Sequence, residues 1–536
     1  MSTSTPQLDS KPEAIHPLRE VWSIAWPTVL TMTSYTVMQF VDSLMVGQKG
    51  PLEVAAQGNG GIWAFVPLAI AMGFLTVINT YVSQNLGANQ LEKAPQYGWA
   101  GLWLSLGIWV FLLLPMAILF PMILPLTHDP ESIQEFDRLV KMETGYCQIL
   151  LVGGIFLLAA KALQHFFFGL HRPKLITVSA LVGNFVNAIA NYILIFGEAG
   201  LPALGLPGIP GTPAMGVYGA ALGTVIGTMV EFAIPFAVFI GPKMHREMKT
   251  RLAWRPRLKP MRELYDIGWP AALQYGNELI CWAIFMTVLV GKFGEHHMTA
   301  GWIALRYMHL SFMPAVGFSV AATSLVGKYM GAGQPDKAMA RARLTLAMAL
   351  SYMTVCGVIF FIFRVPLVEV FFLMDDHIDP QVKIEIVTIG AKLMICAALF
   401  QSADAIGIVY TGALRGAGDT VWPGLVTMVY SWTFIVGGGW AMVWLFPQLE
   451  SIGPWLGASA YIILLSLTLG FRFESGFWRS IKLLPGIERD GGEPDPVESA
   501  SPEPPESPVS NGLSDGLVGE NTKESQTSPK GESPST

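Results

Sequence analysis

Three acidic residues lie inside long apolar stretches of the sequence. Asp42 occurs in YTVMQFVDSLMVG, Glu278 in WPAALQYGNELICWA and Asp404 in ALFQSADAIGIVYTG. Ionisable side chains in membrane-length apolar segments are costly to bury and mark ion or substrate pathways. A carboxyl group removed from water takes up a proton more readily. Alternatively, two carboxylates with amide and carbonyl oxygens suit Na⁺, a hard cation that needs oxygen ligands. The sequence therefore predicts that these acids bind H⁺ or Na⁺.

Further polar side chains lie in the same apolar stretches. Each acid has polar neighbours three, four or seven residues away, which places them on one helix face. These neighbours are Tyr35 and Gln39 for Asp42, Gln274 for Glu278, and Gln401 for Asp404. A separate stripe could hold helices together or contact a cation or substrate; it consists of Asn184, Asn187 and Asn191. Weaker candidates, which could pair internally or reach an interface, are Lys161, Glu231, Arg306, His309 and Lys392.

The three acids also have interpretations without a function. Asp42 could be a hydrated acid near the membrane interface, and Glu278 and Asp404 could be protonated groups that hydrogen-bond between helices. The functional interpretation follows from charge. A site that is negative when empty attracts cationic substrates, and loading H⁺ or Na⁺ neutralises it and expels them. This is the physical logic of an antiporter.

The composition indicates the elements that hold these residues. Charged residues are 13% of the 536-residue chain, against about 25% in soluble domains. Many apolar stretches of about 20 residues follow one another, each long enough to cross a bilayer. The sequence predicts an all-α polytopic membrane protein with twelve spans. The predicted spans are 20–46, 61–84, 97–124, 141–168, 175–197 and 216–240, then 264–291, 302–327, 340–372, 384–411, 420–446 and 453–472.

The chain contains two copies of one unit. VSQNLGANQLEKA at 82–94 returns as VGKYMGAGQPDKA at 326–338, an offset of 244 residues, and a Trp-Pro pair and a V-G-x-x-G motif return at nearly the same offset. Six spans per copy make the copies parallel repeats. The predicted domains are an N-lobe at 20–240, a basic connector at 241–262 and a C-lobe at 263–475. Glycines in the repeated motif predict a tight turn after the second span of each lobe.

Charge predicts the orientation. The connector 241–262 contains eight Lys and Arg residues, whereas loops on the opposite side are acidic, as at 129–135 and 375–379. Basic loops face the cytoplasm, so residues 1–19 and 476–536 are both predicted to be cytoplasmic, in a bacterial inner (plasma) membrane. From Glu488 onward the tail has eleven acidic and three basic residues, and its Pro, Ser and Glu content predicts disorder.

Six stretches spread over both lobes carry a resemblance. They are FVDSLMVG in span 1, SQNLGANQLEKA after span 2, NAIANYILIFG in span 5 with GLPALG after it, IGWPAAL in span 7, VGKYMGAGQPDKA after span 8, and QSADAIGIVYTGALRGAGD in span 10. Over about residues 20–475 the chain resembles the multidrug and toxic compound extrusion (MATE) family, in its NorM-like bacterial branch. The resemblance implies two six-helix lobes around a V-shaped cavity, and export of cationic, amphipathic drugs or metabolites in exchange for Na⁺ or H⁺.

The resemblance also implies roles for individual residues. Asp42 matches the acid of the family's N-lobe, and Glu278 and Asp404 match two C-lobe acids linked to cation coupling, where any Na⁺ is expected to bind. Asn187 and Asn191 match an amide pair in span 5. The chain departs from the family pattern in the Pro/Gly-rich loop 198–216, at Arg306 and His309, and in the acidic tail.

Other functions fit the sequence less well. A lipid-linked sugar or polysaccharide flippase of the same superfamily often has extra spans or a strongly basic cavity. An enzyme would need clustered catalytic groups, and the one adjacent histidine pair, His296-His297, is expected in an outer loop without suitable partners. We therefore expect no enzymatic activity, no resident cofactor and no nucleic-acid partner. The expected partners are small organic cations, the coupling ion and the bilayer, with the protein a monomer.

Overall fold

Long helices follow one another along the chain in the order that the apolar segments predict. The computed structural model describes residues 16–127, 135–200, 207–372 and 379–484, and these contain no strand. They belong to one compact unit that ends at Asp490. The helices of the first half are α1 (Pro17–Gly47), α2 (Leu52–Gly87), α3 (Ala94–Leu126), α4 (Phe136–Gly169), α5 (Pro173–Ala199) and α6 (Val217–Phe239). Those of the second half are α7 (Leu258–Phe293), α8 (Glu295–Gly331), α9 (Pro335–Ile362), α10 (Pro380–Ala417), α11 (Val421–Leu445) and α12 (Ile452–Glu474).

The helices have the lengths and surfaces of membrane spans. Within the described ranges, ten are long and apolar enough to cross a bilayer. The other two, α1 and α10, are 31 and 38 residues long and occupy the predicted positions of spans 1 and 10. Large apolar side chains cover the outside, with Phe111 83% and Phe471 73% exposed. Such extensive exposed apolar surface fits lipid rather than water. The predicted all-α fold in two six-helix repeats is confirmed.

Several helix ends differ from the prediction. The helices α2 and α8 begin nine and seven residues before the predicted spans, at Leu52 and Glu295. Hydropathy marks the apolar centre of a span, whereas polar first turns also form helix. The predicted ninth span ran to residue 372, but α9 ends at Ile362 and a short helix, Arg364–Glu369, follows. The prediction of a disordered acidic tail lies outside the described residues, as do the acidic residues at 129–134 and 375–378.

The first helix of each half packs against the core of the other half. Val21 and Ile24 of α1 lie in the apolar core of the second half. Their repeat-related counterparts on α7, Leu264 and Ile267, lie in the core of the first half. The two cores are therefore joined by an exchange of equivalent helix ends.

The repeated motif forms the crossing point of the two halves. A Cβ on Gly87 would lie 1.7 Å from the carbonyl oxygen of Lys328, and one on Gly331 would lie 1.9 Å from that of Gln84. These two contacts are related by the offset of 244, so each copy of the motif packs against the other. The predicted use of a motif glycine in the tight turn is correct in the second copy, where Gly333 is left-handed (φ 69°), whereas the first copy has Asn89 there (φ 57°). Gly87 and Gly331 instead permit close backbone approach.

Hydrogen bonds join the halves at one end only. Thr28 donates to the carbonyl of Gly317 (2.8 Å) and Gln84 to that of Gly416 (3.0 Å). Near the start of α1, the buried Glu20 carboxylate lies 2.7 Å from both Lys328 Nζ and Arg341 Nε. Arg172 and Lys249 form ion pairs that place the loops after α2 and α4 beside the connector. We call this end the connector side, and the described residues form no hydrogen bond between the halves elsewhere.

Candidate functional site

Asp42 in the first half is held by the amides of α5. Its side chain is 6% exposed, and Asn191 Nδ2 donates to Asp42 Oδ1 at 2.6 Å. Asn191 and Asn187 are 3.5 Å apart, and Asn187 also lies 3.5 Å from Thr224 Oγ1 on α6. The structure therefore brings Asp42, Asn187 and Asn191 together, a contact between helices that the spacing along each helix did not predict. A charge-assisted hydrogen bond of this kind stabilises the ionised carboxylate.

Closely spaced glycines on α6 make room for these amides. Gly219, Gly223 and Gly227 follow one another at four-residue intervals and face α5. A Cβ on Gly223 would lie 2.0 Å from Asn191 Oδ1, and one on Gly227 would lie 2.6 Å from the Asn187 Cβ. Small residues at this spacing let membrane helices approach closely. Our sequence prediction missed this element, although the G-x-x-x-G-x-x-x-G pattern is visible in the chain.

Tyr35 belongs to a second polar cluster of the first half. The Tyr35 hydroxyl donates to Glu231 Oε1. Lys161 Nζ lies 3.9 Å from the same oxygen and 3.9 Å from the centre of the Tyr35 ring. These side chains come from α1, α4 and α6, so the weaker candidates Lys161 and Glu231 belong to one internal cluster. We call Tyr35, Lys161 and Glu231 the Lys161 cluster.

Like Tyr35, two further predicted members of the first-half site lie apart from Asp42. Gln39 is exposed and forms no hydrogen bond within the described part of the chain, so the predicted stripe on α1 does not act as one unit. Asn184 is partly buried and donates to the backbone carbonyl of Ser34 at 3.1 Å. It therefore joins α5 to α1, which is the helix-packing interpretation of the stripe. Helical spacing identified residues that share one face of a helix. That face can contact two neighbouring helices, so its residues do not all meet the same partner.

Glu278 in the second half has a phenol as its partner. Tyr461 on α12 donates to Glu278 Oε1 at 2.7 Å, and Tyr461 is 3% exposed. Asp404 on α10 interacts electrostatically with both Glu278 and Tyr461. The structure thus brings together two acids that lie 126 residues apart in sequence. Tyr461 was not predicted, because a tyrosine in an apolar span gives no signal that separates it from ordinary packing.

Amide side chains near these acids bind neighbouring helices. Gln274 donates to Thr427 Oγ1 (3.3 Å) on α11, and Gln401 donates to Ser311 Oγ (2.6 Å) on α8. Asn277, which was not singled out from sequence, donates to Ser431 Oγ at 2.7 Å. The predicted neighbours Gln274 and Gln401 therefore fix the helices that carry the acids, rather than contacting the acids directly.

The fifth helix of each half contains a π-helical segment next to the polar residues. In α5, residues Tyr192–Phe196 are π-helical, directly after Asn191. In α11, Ser431–Gly438 are π-helical, beginning at the residue that Asn277 contacts. Single π turns inside α-helices occur often at functional sites.

The remaining candidates lie outside both sites. Arg306, His309 and Lys392 are exposed on the surfaces of α8 and α10, so they do not lie in the interior as Lys161 and Glu231 do. Hydropathy marks a span as apolar but does not say which face of it packs against protein. The histidine pair is in the first turn of α8 rather than in an outer loop, and His296 lies 3.1 Å from Glu385 and His297 3.5 Å from Glu450. Among the described residues, no three His, Cys, Asp or Glu side chains form a group that could hold a metal ion.

The fold and these sites define an integral multi-pass membrane protein built from two parallel repeats. A family model confirms the resemblance seen in the sequence. The chain matches the MatE family over residues 27–193 and 270–437, one stretch in each half. The protein belongs to the MatE family.

Named relatives and solved structures agree with this assignment. The multidrug resistance protein NorM of Burkholderia vietnamiensis is 27% identical over 454 residues, which cover 84% of this chain and 92% of that protein. The multidrug resistance protein MdtK of Yersinia pseudotuberculosis is 27% identical over 448 residues, or 82% and 91% of the two chains. A crystal structure of MATE in complex with MaL6 has a TM-score of 0.75 at 17% identity, covering 87% of this chain and 98% of that one. A MOP superfamily transporter from Pyrococcus furiosus has a TM-score of 0.74 at 18% identity, covering 87% and 97%.

Proposed function

We propose that the protein is an antiporter that exports cationic, amphipathic compounds in exchange for Na⁺ or H⁺. The observation that carries this proposal is the hydrogen bond from Tyr461 to Glu278 at 2.7 Å within an apolar helix bundle, with Asp404 in electrostatic range of Glu278. Its relatives are named as multidrug resistance proteins, which supports export of organic compounds. The same names do not favour the flippase alternative.

The two acids supply the exchange chemistry. Two carboxylates close together in an apolar bundle repel each other, and a bound cation relieves that repulsion. A proton, a Na⁺ ion or a substrate cation can each supply the positive charge, so their occupancies compete. Arrival of the coupling ion from one side therefore releases the substrate. The Tyr461 hydroxyl holds the Glu278 carboxylate in position for either occupant.

Alternating access then depends on the connector side. The halves are hydrogen-bonded to one another there, at Thr28, Gln84 and the Glu20 ion pairs. Exposure of the acids to the connector side requires these contacts to separate. With both termini and the connector in the cytoplasm, the described state is closed toward the cytoplasm. A plasma-membrane protein in this orientation would release its substrate to the outside.

Transport in proteoliposomes tests the proposal. Purified protein is reconstituted with ethidium, a fluorescent cation, and Na⁺ and H⁺ gradients are imposed separately. We expect one gradient or both to drive ethidium movement, and Glu278→Gln and Asp404→Asn to abolish it. Lys392→Gln changes a charge on an exposed face and serves as the control. Movement that ignores both gradients, or that survives in both acid variants, would refute the antiporter mechanism.

A further inference from the structure

The connector carries a group of basic residues without nearby acids in the sequence. Residues 248–262 contain six Lys and Arg residues and no Asp or Glu. Lys249, Arg251 and Arg262 have partners elsewhere in the protein. The other three side chains are exposed and form no ion pair or hydrogen bond with the described residues; they are Arg255, Arg257 and Lys259. Like charges at this spacing repel one another, so a bound anion would stabilise them.

Large apolar side chains are exposed among these charges. Leu252, Trp254 and Leu258 are 67%, 50% and 86% exposed. Residues 252–259, which we call the exposed segment, therefore contain three apolar and three basic side chains that do not pack against the described protein. This combination is typical of segments that lie in the interface of a bilayer, where apolar groups enter the acyl region and basic groups reach the lipid phosphates.

Two tryptophans of α3 fix the connector to the outside of the helix bundle. Trp103 Nε1 donates to the backbone carbonyl of Trp254, and Trp99 Nε1 donates to that of Thr250, both at 2.9 Å. Buried residues make up 17% of the most apolar stretch of α3, the smallest share among the ten apolar helices of the described ranges. The exposed segment therefore lies beside a helix whose surface faces lipid.

The position of Trp103 along α3 sets the depth of the exposed segment. The helix has 33 residues and is about 50 Å long, so it extends past a hydrocarbon core of about 30 Å at its ends. Trp103 follows the first residue of α3 by nine positions, or about 14 Å along the axis. Trp254 is bonded to it and therefore lies near the boundary between headgroups and acyl chains, where tryptophan is enriched in membrane proteins.

We propose that the exposed segment binds anionic phospholipid headgroups in the leaflet on the connector side. Its apolar side chains enter the upper acyl region, whereas Arg255, Arg257 and Lys259 contact the lipid phosphates. Arginine suits this role because its planar guanidinium can bind a phosphate through two hydrogen bonds. A zwitterionic lipid has the same phosphate but also a cationic group, so the three basic residues favour anionic lipids. This site is separate from the acids of the second half and does not rest on the proposed export function.

Two lipids that differ only in the headgroup test the proposal. Dioleoylphosphatidylglycerol is anionic, and dioleoylphosphatidylcholine is zwitterionic with the same acyl chains. Binding of each lipid to the detergent-solubilised full chain is measured by native mass spectrometry. The wild-type protein should bind phosphatidylglycerol roughly tenfold more tightly than phosphatidylcholine. The variant Arg255→Gln/Arg257→Gln/Lys259→Gln should remove this preference and leave phosphatidylcholine binding within about twofold.

Matched variants separate lipid recognition from folding and from total charge. The control Lys141→Gln/Lys292→Gln/Lys392→Gln removes three exposed lysines outside the connector and should keep the preference for phosphatidylglycerol. Trp254→Ala keeps the backbone carbonyl that accepts from Trp103, and it should weaken both lipids alike because it removes apolar contact. Melting temperatures in detergent should match that of the wild type in both triple variants, since the substituted side chains are exposed.

Several outcomes would overturn the lipid site. These are equal binding of the two lipids by the wild type, and an equal loss of phosphatidylglycerol in the connector variant and the control variant. Displacement of the lipid by free glycerol phosphate at a similar concentration would assign the basic residues to a soluble anion instead. Tighter binding of an oligoglutamate peptide would assign them to an acidic protein. No ion gradient is present in these measurements, so selective lipid binding without ethidium transport would refute the antiporter mechanism alone.

Discussion

The two halves share a helix framework but not a set of charges. At the offset of 244, Asp42 corresponds to Met286, which is fully buried in apolar packing. Glu278 corresponds to Ser34, whose hydroxyl donates to the Thr31 carbonyl in its own helix. The fourth helix of the first half contributes Lys161 to a polar cluster, whereas that of the second contributes Asp404. Duplication thus preserved the backbone contacts, while the polar chemistry became different in each half.

The partners of the acids differ as well. Asp42 receives an amide N–H at 2.6 Å from a residue that is itself fully buried. Glu278 receives a phenol O–H at 2.7 Å and lies near a second acid. The first arrangement satisfies a single charge, whereas the second contains two acids, between which we propose that a cation binds. The comparison predicts that ion exchange depends mainly on the second half.

The largest expected effect comes from the acids of the second half. Glu278→Gln or Asp404→Asn should lower ion-driven transport roughly 100-fold, which corresponds to about 3 kcal/mol. Asp42→Asn should lower it less, by roughly tenfold, because the carbonyl of the introduced amide can still accept from Asn191. Rates of dye movement under a fixed ion gradient measure all three. A larger loss in Asp42→Asn than in the other two would reverse the comparison.

Substitutions at the glycines of the backbone crossing should lower the stability of the protein equally in both halves. Gly87→Ala and Gly331→Ala each place a Cβ less than 2 Å from a carbonyl oxygen of the other half. Each variant should lose about 2 kcal/mol of stability, seen as a lower melting temperature in detergent. Gly107→Ala is the control, since nothing lies within 4 Å of its Cβ position. Clearly unequal losses at Gly87 and Gly331 would show that the crossing is not symmetric in energy.

Loss of the phenol on α12 should affect ion binding specifically. Tyr461→Phe removes the hydrogen bond to Glu278, worth about 1.5 kcal/mol, and should shift the half-saturating coupling-ion concentration by roughly tenfold. Tyr410→Phe is a matched control, because that phenol is equally buried but donates to Glu474 at the end of α12. If both variants shift the ion dependence alike, Tyr461 has no special role in the exchange site.

The amide pair of the first half should contribute mainly stability. Asn191→Ala removes the donor to Asp42 and should destabilise the protein by about 1 kcal/mol. Asn184→Ala removes a longer bond, 3.1 Å to a backbone carbonyl, and should cost less. Thermal unfolding of the two variants measures the difference. An Asn184→Ala variant less stable than Asn191→Ala would contradict the assigned arrangement.

The smallest effect is expected at the surface of the connector. Arg172 lies 2.7 Å from Glu247 and holds the pKa of that carboxyl below its ordinary value of 4.5. The pair therefore stabilises the protein above about pH 4.5, and this contribution is lost as the pH falls through the lowered pKa. Both side chains are substantially exposed, so Glu247→Gln should cost less than about 1 kcal/mol at neutral pH. A cost that persists unchanged at pH 3 would contradict this origin.

The sequence predicted the helices because each long apolar run has few alternatives in a bilayer. It also identified Asp42, Glu278 and Asp404, since an acid in an apolar span is rare. Gln39 and Asn184 were grouped wrongly because spacing along one helix does not specify which neighbour a side chain meets. Tyr461 was missed because a tyrosine becomes informative only through its partners, which here come from distant helices.

The close packing of the two glycine motifs limits how the sequences of the two halves can evolve. Each copy of the motif offers the same surface to the other, as in an isologous contact between the subunits of a two-fold dimer. The chain therefore behaves as a dimer whose protomers are fused, with α1 and α7 as the exchanged arms. A bulkier residue at either crossing position meets the backbone of the other half, so both positions are held to glycine. The polar residues carry no such constraint, and each half is free to specialise.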